Sequence, residues 1–227
     1  MVMKVYDKVE QGSDEWLELR RGILCASEVR HIMTPTLKVA KNDKVRTHTF
    51  ELLAQRITGY VEPTYVSDDM LRGREDEIEA RHEYSLHHAP VDEVGFITED
   101  RWGFVIGYSP DGLVSDDGLI ECKSRQPRHH VRTVVEDEVP EEHVLQLQTG
   151  LLVTGRKWID YISRSAGLPL YVKRVYPDAE IQDAIIKAAS EFYDNLNALE
   201  TRYKQNVAAM KVLIPTERRI EQEMYIG

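Results

Sequence analysis

The chain has 227 residues, 42% of them hydrophobic and 30% charged, which supplies one sizeable core and is too apolar for a disordered chain. No run of eighteen apolar residues is present and MVMKVYDKVEQ lacks the apolar stretch of a secretory signal, so a cytoplasmic protein without membrane spans is expected. The net charge of −10 argues against non-specific nucleic-acid binding, but it is uneven: residues 61–100 carry twelve acidic and three basic side chains.

The predicted elements begin with a short helix in SDEWLELRRG, capped by Ser13 and stopped by Gly22. Ser27 is placed to cap a second helix, SEVRHIM. Residues 34–43, with Pro35, Asn42 and several lysines, read as a mobile basic loop. A helix is expected over 44–58, ending near Gly59, and another from Ser67 to about His87, with Asp68 and Asp69 in its first turn. The period then changes. VDEVGFIT, WGFVIGYS and LIECKS are short β-rich runs between Gly/Asp turns, which predicts consecutive antiparallel strands. Helix returns after Pro127 and again after Pro140, where HVLQLQTGLLVT is apolar nearly all round and so is expected to be buried. WIDYIS and LYVKRVY predict two more strands. From Asp178, Ile181, Ile185, Ala188, Phe192, Leu196, Leu199 and Tyr203 recur every three or four positions, as in a long amphipathic helix. The fold class is α/β, a mixed central β-sheet flanked by helices. One domain is expected over 1–227, with a motif-bearing core over about 11–176 and a C-terminal helical region over about 178–224.

The chemistry concentrates in SPDGLVSDDGLIECKSR, residues 109–125. Side chains alternate across a strand, so Leu119, Glu121 and Lys123 share one face and Ile120 and Cys122 the other. Asp111 sits in the Pro-Asp-Gly turn just before. Two carboxylates and one ammonium at one point suit a hard divalent cation such as Mg²⁺ with a positive group beside it. The lysine either orients or deprotonates an attacking water, or stabilises a charged phosphoryl transition state. The bland reading is a surface hairpin with a cross-strand Glu–Lys pair. Gln146 and Gln148 on the apolar helix tip the balance, because buried amides need partners and a phosphate would serve.

Four blocks carry a resemblance. DEWLELRRGILCASE (14–28), RGREDEIEA (72–80), GYSPDGLVSDDGLIECK (107–123) and QLQTGLLVTG (146–155) follow one another as in the lambda exonuclease family, the phage-type YqaJ-like viral recombinases of the PD-(D/E)xK nuclease superfamily. The chain resembles that family over about residues 11–176. The resemblance implies a restriction-endonuclease-like core and a toroidal homotrimer threaded on duplex DNA. It implies processive 5′→3′ degradation of linear duplexes with a 5′ phosphate, releasing mononucleotides and leaving a 3′ overhang for a single-strand-annealing recombination protein. Two Mg²⁺ ions are implied per site, with Mn²⁺ as a substitute. By the same resemblance Asp111, Glu121 and Lys123 are catalytic. Asp111, Glu121, Glu77 and the Cys122 backbone carbonyl hold metal, and Arg20, Ser27, Ser109 and Gln146 bind the 5′ phosphate. Arg21 and Gln148 remain alternatives to Arg20 and Gln146. Met70 matches an apolar wedge between strands, or is an ordinary packing residue. Lys38, Lys41, Lys44 and Arg46 lie where a DNA-tracking loop falls.

Other residues read as structural. Cys25 and Cys122 are expected to be buried thiols, and Trp16, Trp102 and Trp158 core or interface anchors. His87–His88 and His129–His130 lack zinc-like spacing. Acids 68, 69, 75, 76 and 79 read as a solvated helix face, with Glu77 alone turned inward. No Walker A loop is present, so no ATP dependence is expected. An endonuclease on the same core and a non-catalytic DNA-end-binding module are the rival functions.

Overall fold

The computed structural model describes residues 3–34, 36–62 and 68–218, and only the backbone of 68–70. Helix α1 (Asp14–Arg20) starts where the Ser13 hydroxyl accepts from the Trp16 N–H, and Gly22 takes the left-handed turn after it. Strand β2 (Leu24–Cys25) then leads into a 3-10 turn (Ala26–Glu28) and α2 (Val29–Ile32). Ser27 lies inside that turn and is not the cap; Glu28 folds back onto the Cys25 N–H at 2.9 Å. Helix α3 (Asp43–Thr58) is capped by Asn42 and closed by Gly59 at φ 63°, as its sequence dictates. Helix α4 spans Asp68–His87; Ser67, its expected start, lies outside the described residues.

The expected mixed β structure is divided into two four-stranded sheets. The first runs β1 (Lys4–Tyr6), β3 (Phe96–Glu99), β4 (Ile106–Tyr108), β2, with β2 parallel to β4. The second runs β5 (Gly112–Val114), β6 (Gly118–Ser124), β7 (Trp158–Arg164), β8 (Tyr171–Val175), with β6 parallel to β7. Between β6 and β7 the chain makes α5 (Pro127–Glu136) and α6 (Glu141–Thr154), the long crossover a parallel pair requires. Helix α7 (Ala179–Ala208), capped by Asp178, is the expected amphipathic helix. Residues 209–218 continue without helix, which shortens the C-terminal helical region expected to about 224; 219–227 lie outside the described residues.

Strand β6 separates two hydrophobic clusters. Leu119 joins the main one with Leu147 and Leu151 of α6 and Ile185, Phe192 and Leu196 of α7. Ile120 and Cys122 join a second one with Ala80 and Tyr84 of α4. Complete burial of Leu147 and Leu151 contributes about 1.5–3 kcal/mol each. The two clusters fix the register of β6 from both faces, because a one-residue slip would exchange Glu121 for Ile120 or Cys122. Tyr193 of α7 ties the start of β2 to the residue before β4. Its hydroxyl accepts from the Leu24 N–H at 2.9 Å and donates to the Val105 carbonyl at 2.5 Å.

Candidate active site

Asp111 stands at the start of β5, where the β5–β6 ladder runs out. Its Oδ2 accepts the Cys122 N–H at 2.6 Å, so the side chain occupies the place of a strand neighbour. This ties the Pro-Asp-Gly turn to the Glu-Cys-Lys strand. Glu121 is 1% exposed and takes three donors. Lys123 Nζ and Gln146 Nε2 donate to its Oε1 at 2.6 and 2.5 Å, and the Tyr108 hydroxyl donates to Oε2 at 2.9 Å. Tyr108 fits only because α6 carries Gly150: a Cβ there would stand 2.7 Å from the Tyr108 ring. Glu77 approaches from α4, where Arg81 pairs with it at 3.5 Å and donates to the Asp111 carbonyl at 3.0 Å.

The electrostatics follow from crowding. Burial, then Glu121 and Glu77, push Asp111 well above the usual carboxylate range. Burial also raises Glu77, against Arg81 and with help from Glu121. Burial pulls the Lys123 ammonium down, but Glu121 and Asp111 together outweigh it and hold Lys123 above the ordinary lysine range. Burial keeps the Tyr108 hydroxyl and the Cys122 thiol protonated. Asp111 and Glu77, both raised beside the buried Glu121, leave the pocket short of positive charge, and the side-chain atoms it offers a cation are oxygens. That donor set fits a hard divalent cation. Among the described residues no three His, Cys, Asp or Glu side chains form a ready-made metal cage. Mg²⁺ does not need one, since it keeps several waters and takes one or two protein carboxylates.

Beside this cluster lies a second group. The Arg20 guanidinium stacks on Trp16 at 4.2 Å and pairs with Glu28 at 3.4 Å, next to Ser27. Trp16 Nε1 donates to Ser109 Oγ at 2.9 Å, which leaves the Ser109 hydroxyl proton free to be given to an anion. Arg21 instead pairs with Glu18 on the exposed side of α1. Gln148 is spent on structure: it donates to the Tyr176 carbonyl and accepts from the Asp178 N–H, both at 2.9 Å. Of the alternatives, Gln146 reaches the cluster through Glu121, and Arg20 stacks on Trp16, which is bonded to Ser109. A cleft of about 690 Å³ opens from Glu77 and Lys123, and its rim is Arg72, Arg74, Arg125 and Arg128. In a chain of net charge −10, this concentration of cations suits a polyanion.

The model of the YqaJ-like viral recombinase domain matches residues 15–157, which hold nearly every residue described above. The chain belongs to the YqaJ-like viral recombinase family. A crystal structure of an alkaline exonuclease from Laribacter hongkongensis superposes on this family member with a TM-score of 0.78 and 32% identity, over 86% of this chain and 98% of that one. The same enzyme in complex with dAMP matches over the same shares at 33% identity and TM-score 0.78. A phage-related exonuclease from Haemophilus somnus 129PT, at 15% identity, shares the fold, with a TM-score of 0.60 over 78% of this chain and 95% of its own. No curated protein sequence matches the YqaJ-like chain.

The structure departs from several sequence expectations. Asp76 is not on a solvated face: its side chain, 13% exposed, accepts from Ser124 Oγ and pairs with Arg164, which also holds Glu79. Trp16 is no core anchor but a half-buried platform between Arg20 and Ser109. Lys38, Lys41, Lys44 and Arg46 are exposed, while the Met70 side chain lies outside the described residues. Tyr108, Arg81, Asp76 and Arg125 were missed. Tyr108 directly precedes Ser109, and Gly150 sits one helical turn beyond Gln146; that pair was the available signal. The Asp76–Arg164 pair has no local signature, whereas Glu77 and Arg81 stand four apart on one helix, a spacing the sequence displays.

Proposed function

We propose that this YqaJ-like protein is a divalent-metal-dependent exonuclease that degrades linear double-stranded DNA 5′→3′ from a phosphorylated end. One observation supports the reading: two residues upstream of Asp111 in the Asp111–Glu121–Lys123 cluster stands Ser109, which Trp16 links to the Arg20 guanidinium, a donor group suited to a terminal phosphate. Asp111, Glu121, Glu77 and the Cys122 carbonyl would hold Mg²⁺, with Mn²⁺ as a substitute. The bound ion would supply Lewis acidity at the scissile phosphate. Lys123 Nζ lies 2.6 Å from Glu121 Oε1, and of its two roles we assign it the cationic one, stabilising charge that develops on the phosphoryl oxygens. Arg20 grips the 5′ phosphate through its guanidinium fork, with Ser27, the Ser109 proton and Gln146 completing the donor set. The basic cleft rim guides the backbone. The alkaline exonuclease from Laribacter hongkongensis and its dAMP complex support the reaction class and a mononucleotide product. Processivity, a homotrimeric ring, a 3′ overhang passed to a single-strand-annealing partner, a cytoplasmic location and independence of ATP belong to the same proposal.

The test uses two linear duplexes that differ only in a 5′ phosphate or 5′ hydroxyl, with Mg²⁺ and a covalently closed circle. Fast loss of the phosphorylated duplex, slow loss of the other and a surviving circle are expected. A cut circle would indicate an endonuclease. No cleavage by folded, metal-supplied protein would indicate an end-binding module.

A further inference from the structure

Gln146 touches Glu121 and sits on the helix that packs against the other half of the site. Its amide donates to Glu121 Oε1, yet α6 also packs on the 3-10 turn that carries Ser27 and lies over Tyr108, the residue before Ser109. An ionised carboxylate oxygen accepts along two lone-pair directions. On Glu121 Oε1 both are used, one by Lys123 and one by Gln146, while Oε2 already takes the Tyr108 hydroxyl. Glu121 Oε1 therefore has no direction left for a cation while Gln146 stays on it, and only Oε2 keeps one. A terminal phosphate, with a charge of about −1.5 to −2, is the stronger acceptor for an amide N–H. Glu121 can give Gln146 up where a cation takes the place of the lost donor.

We infer that Gln146 is a positioning residue that couples the phosphate pocket to the metal ligand: on moving its donor from Glu121 to the 5′ phosphate, it frees Glu121 to take the divalent cation. The inference rests on the phosphate-pocket reading above and goes beyond it by making end recognition a condition for tight metal binding. An unphosphorylated end would then leave the cutting centre weakly metallated, a discrimination no single contact in the pocket provides. Coupling of this kind is reciprocal, so the metal tightens the phosphorylated end by the same factor.

The experiment measures Mg²⁺ binding by calorimetry on the full chain bound to duplexes whose end linkages are cleavage-resistant phosphorothioates. Ends carry either a 5′ phosphate or a 5′ hydroxyl, and metal-free end binding is measured in parallel. The wild type should prefer the phosphorylated end without metal and should bind Mg²⁺ on the order of fivefold tighter on it. Gln146→Ala and the volume-preserving Gln146→Met should bind Mg²⁺ equally on both ends, at the tighter value. Equal Mg²⁺ affinities in the wild type, with the end preference intact, would overturn the coupling and leave the pocket standing. A coupling that survives in both variants would also overturn it, since the path would not run through Gln146. Loss of the end preference itself would remove the pocket reading and this inference together.

Discussion

At the residue scale, the site is defined by how each buried charge is satisfied. Glu121 sits at 1% exposure with three donors, so removing one exposes the cost of burying the charge. Tyr108→Phe deletes the donor on Oε2 and should destabilise the protein by about 1.5–3 kcal/mol in chemical denaturation. His143 offers a pH prediction. Burial, then Lys123 and Arg125, push its imidazole down to about 3, and it stays neutral beside Arg125 at 3.0 Å. The unfolded chain protonates this histidine below about 6.5 while the fold resists, so its stabilising effect is present above that pH and is lost as pH falls towards 3. Each pH unit in that window costs up to about 1.4 kcal/mol from this group. His143→Gln should therefore lose less stability than the wild type between pH 7 and pH 4 in parallel urea titrations. The carboxylates and the lysine of the centre were legible at this scale, because strand alternation alone puts Glu121 and Lys123 on one face. Their donors were not: Tyr108 and Gln146 reach Glu121 from 13 and 25 residues away, and no local pattern encodes such a meeting.

At the scale of elements, two helices carry the site's precision. Helix α4 brings Glu77 to β6, and its own position is set by Asp76, which pairs with Arg164 at the end of β7 and accepts from Ser124. Asp76→Ala leaves Arg164 partly buried with Glu79 as its remaining partner. The change should cost about 3 kcal/mol and raise the Mg²⁺ concentration needed for half-maximal cleavage, whereas a purely structural role would leave that requirement unchanged in the folded fraction. Helix α6 lies close enough to β4 that only glycine fits at 150. Gly150→Ala should destabilise by about 1–3 kcal/mol through the Tyr108 ring, visible as a lower melting temperature. Long elements with caps were readable, as Ser13, Asn42, Gly59 and Asp178 show. Strands β1, β2 and β5, of two or three residues each, were not, because so short a run cannot display a period.

At the scale of the molecule, an acidic protein presents a basic cleft that reaches Glu77 and Lys123 of the centre. Arg72, Arg74, Arg125 and Arg128 come from α4, the end of β6 and the start of α5, so the fold gathers cations that the sequence scatters. The net charge of −10 then repels DNA from the remaining surface without opposing entry at the cleft. Exposed Val131, Val134 and Val135 on α5, whose buried face carries His130 and Thr133, show that this helix turns polar groups inward behind the centre. The order of the four sequence blocks revealed the family, while the basic rim emerged only from the fold. In the proposed reaction Lys123 supplies the positive charge beside the carboxylates during phosphodiester cleavage. The decisive measurement is single-turnover loss of a 5′-phosphorylated linear duplex with saturating Mg²⁺, compared between the wild type and folded Lys123→Met. A rate on the order of 10²–10³-fold lower in the variant is predicted, and a rate within about twofold of the wild type would rule this role out.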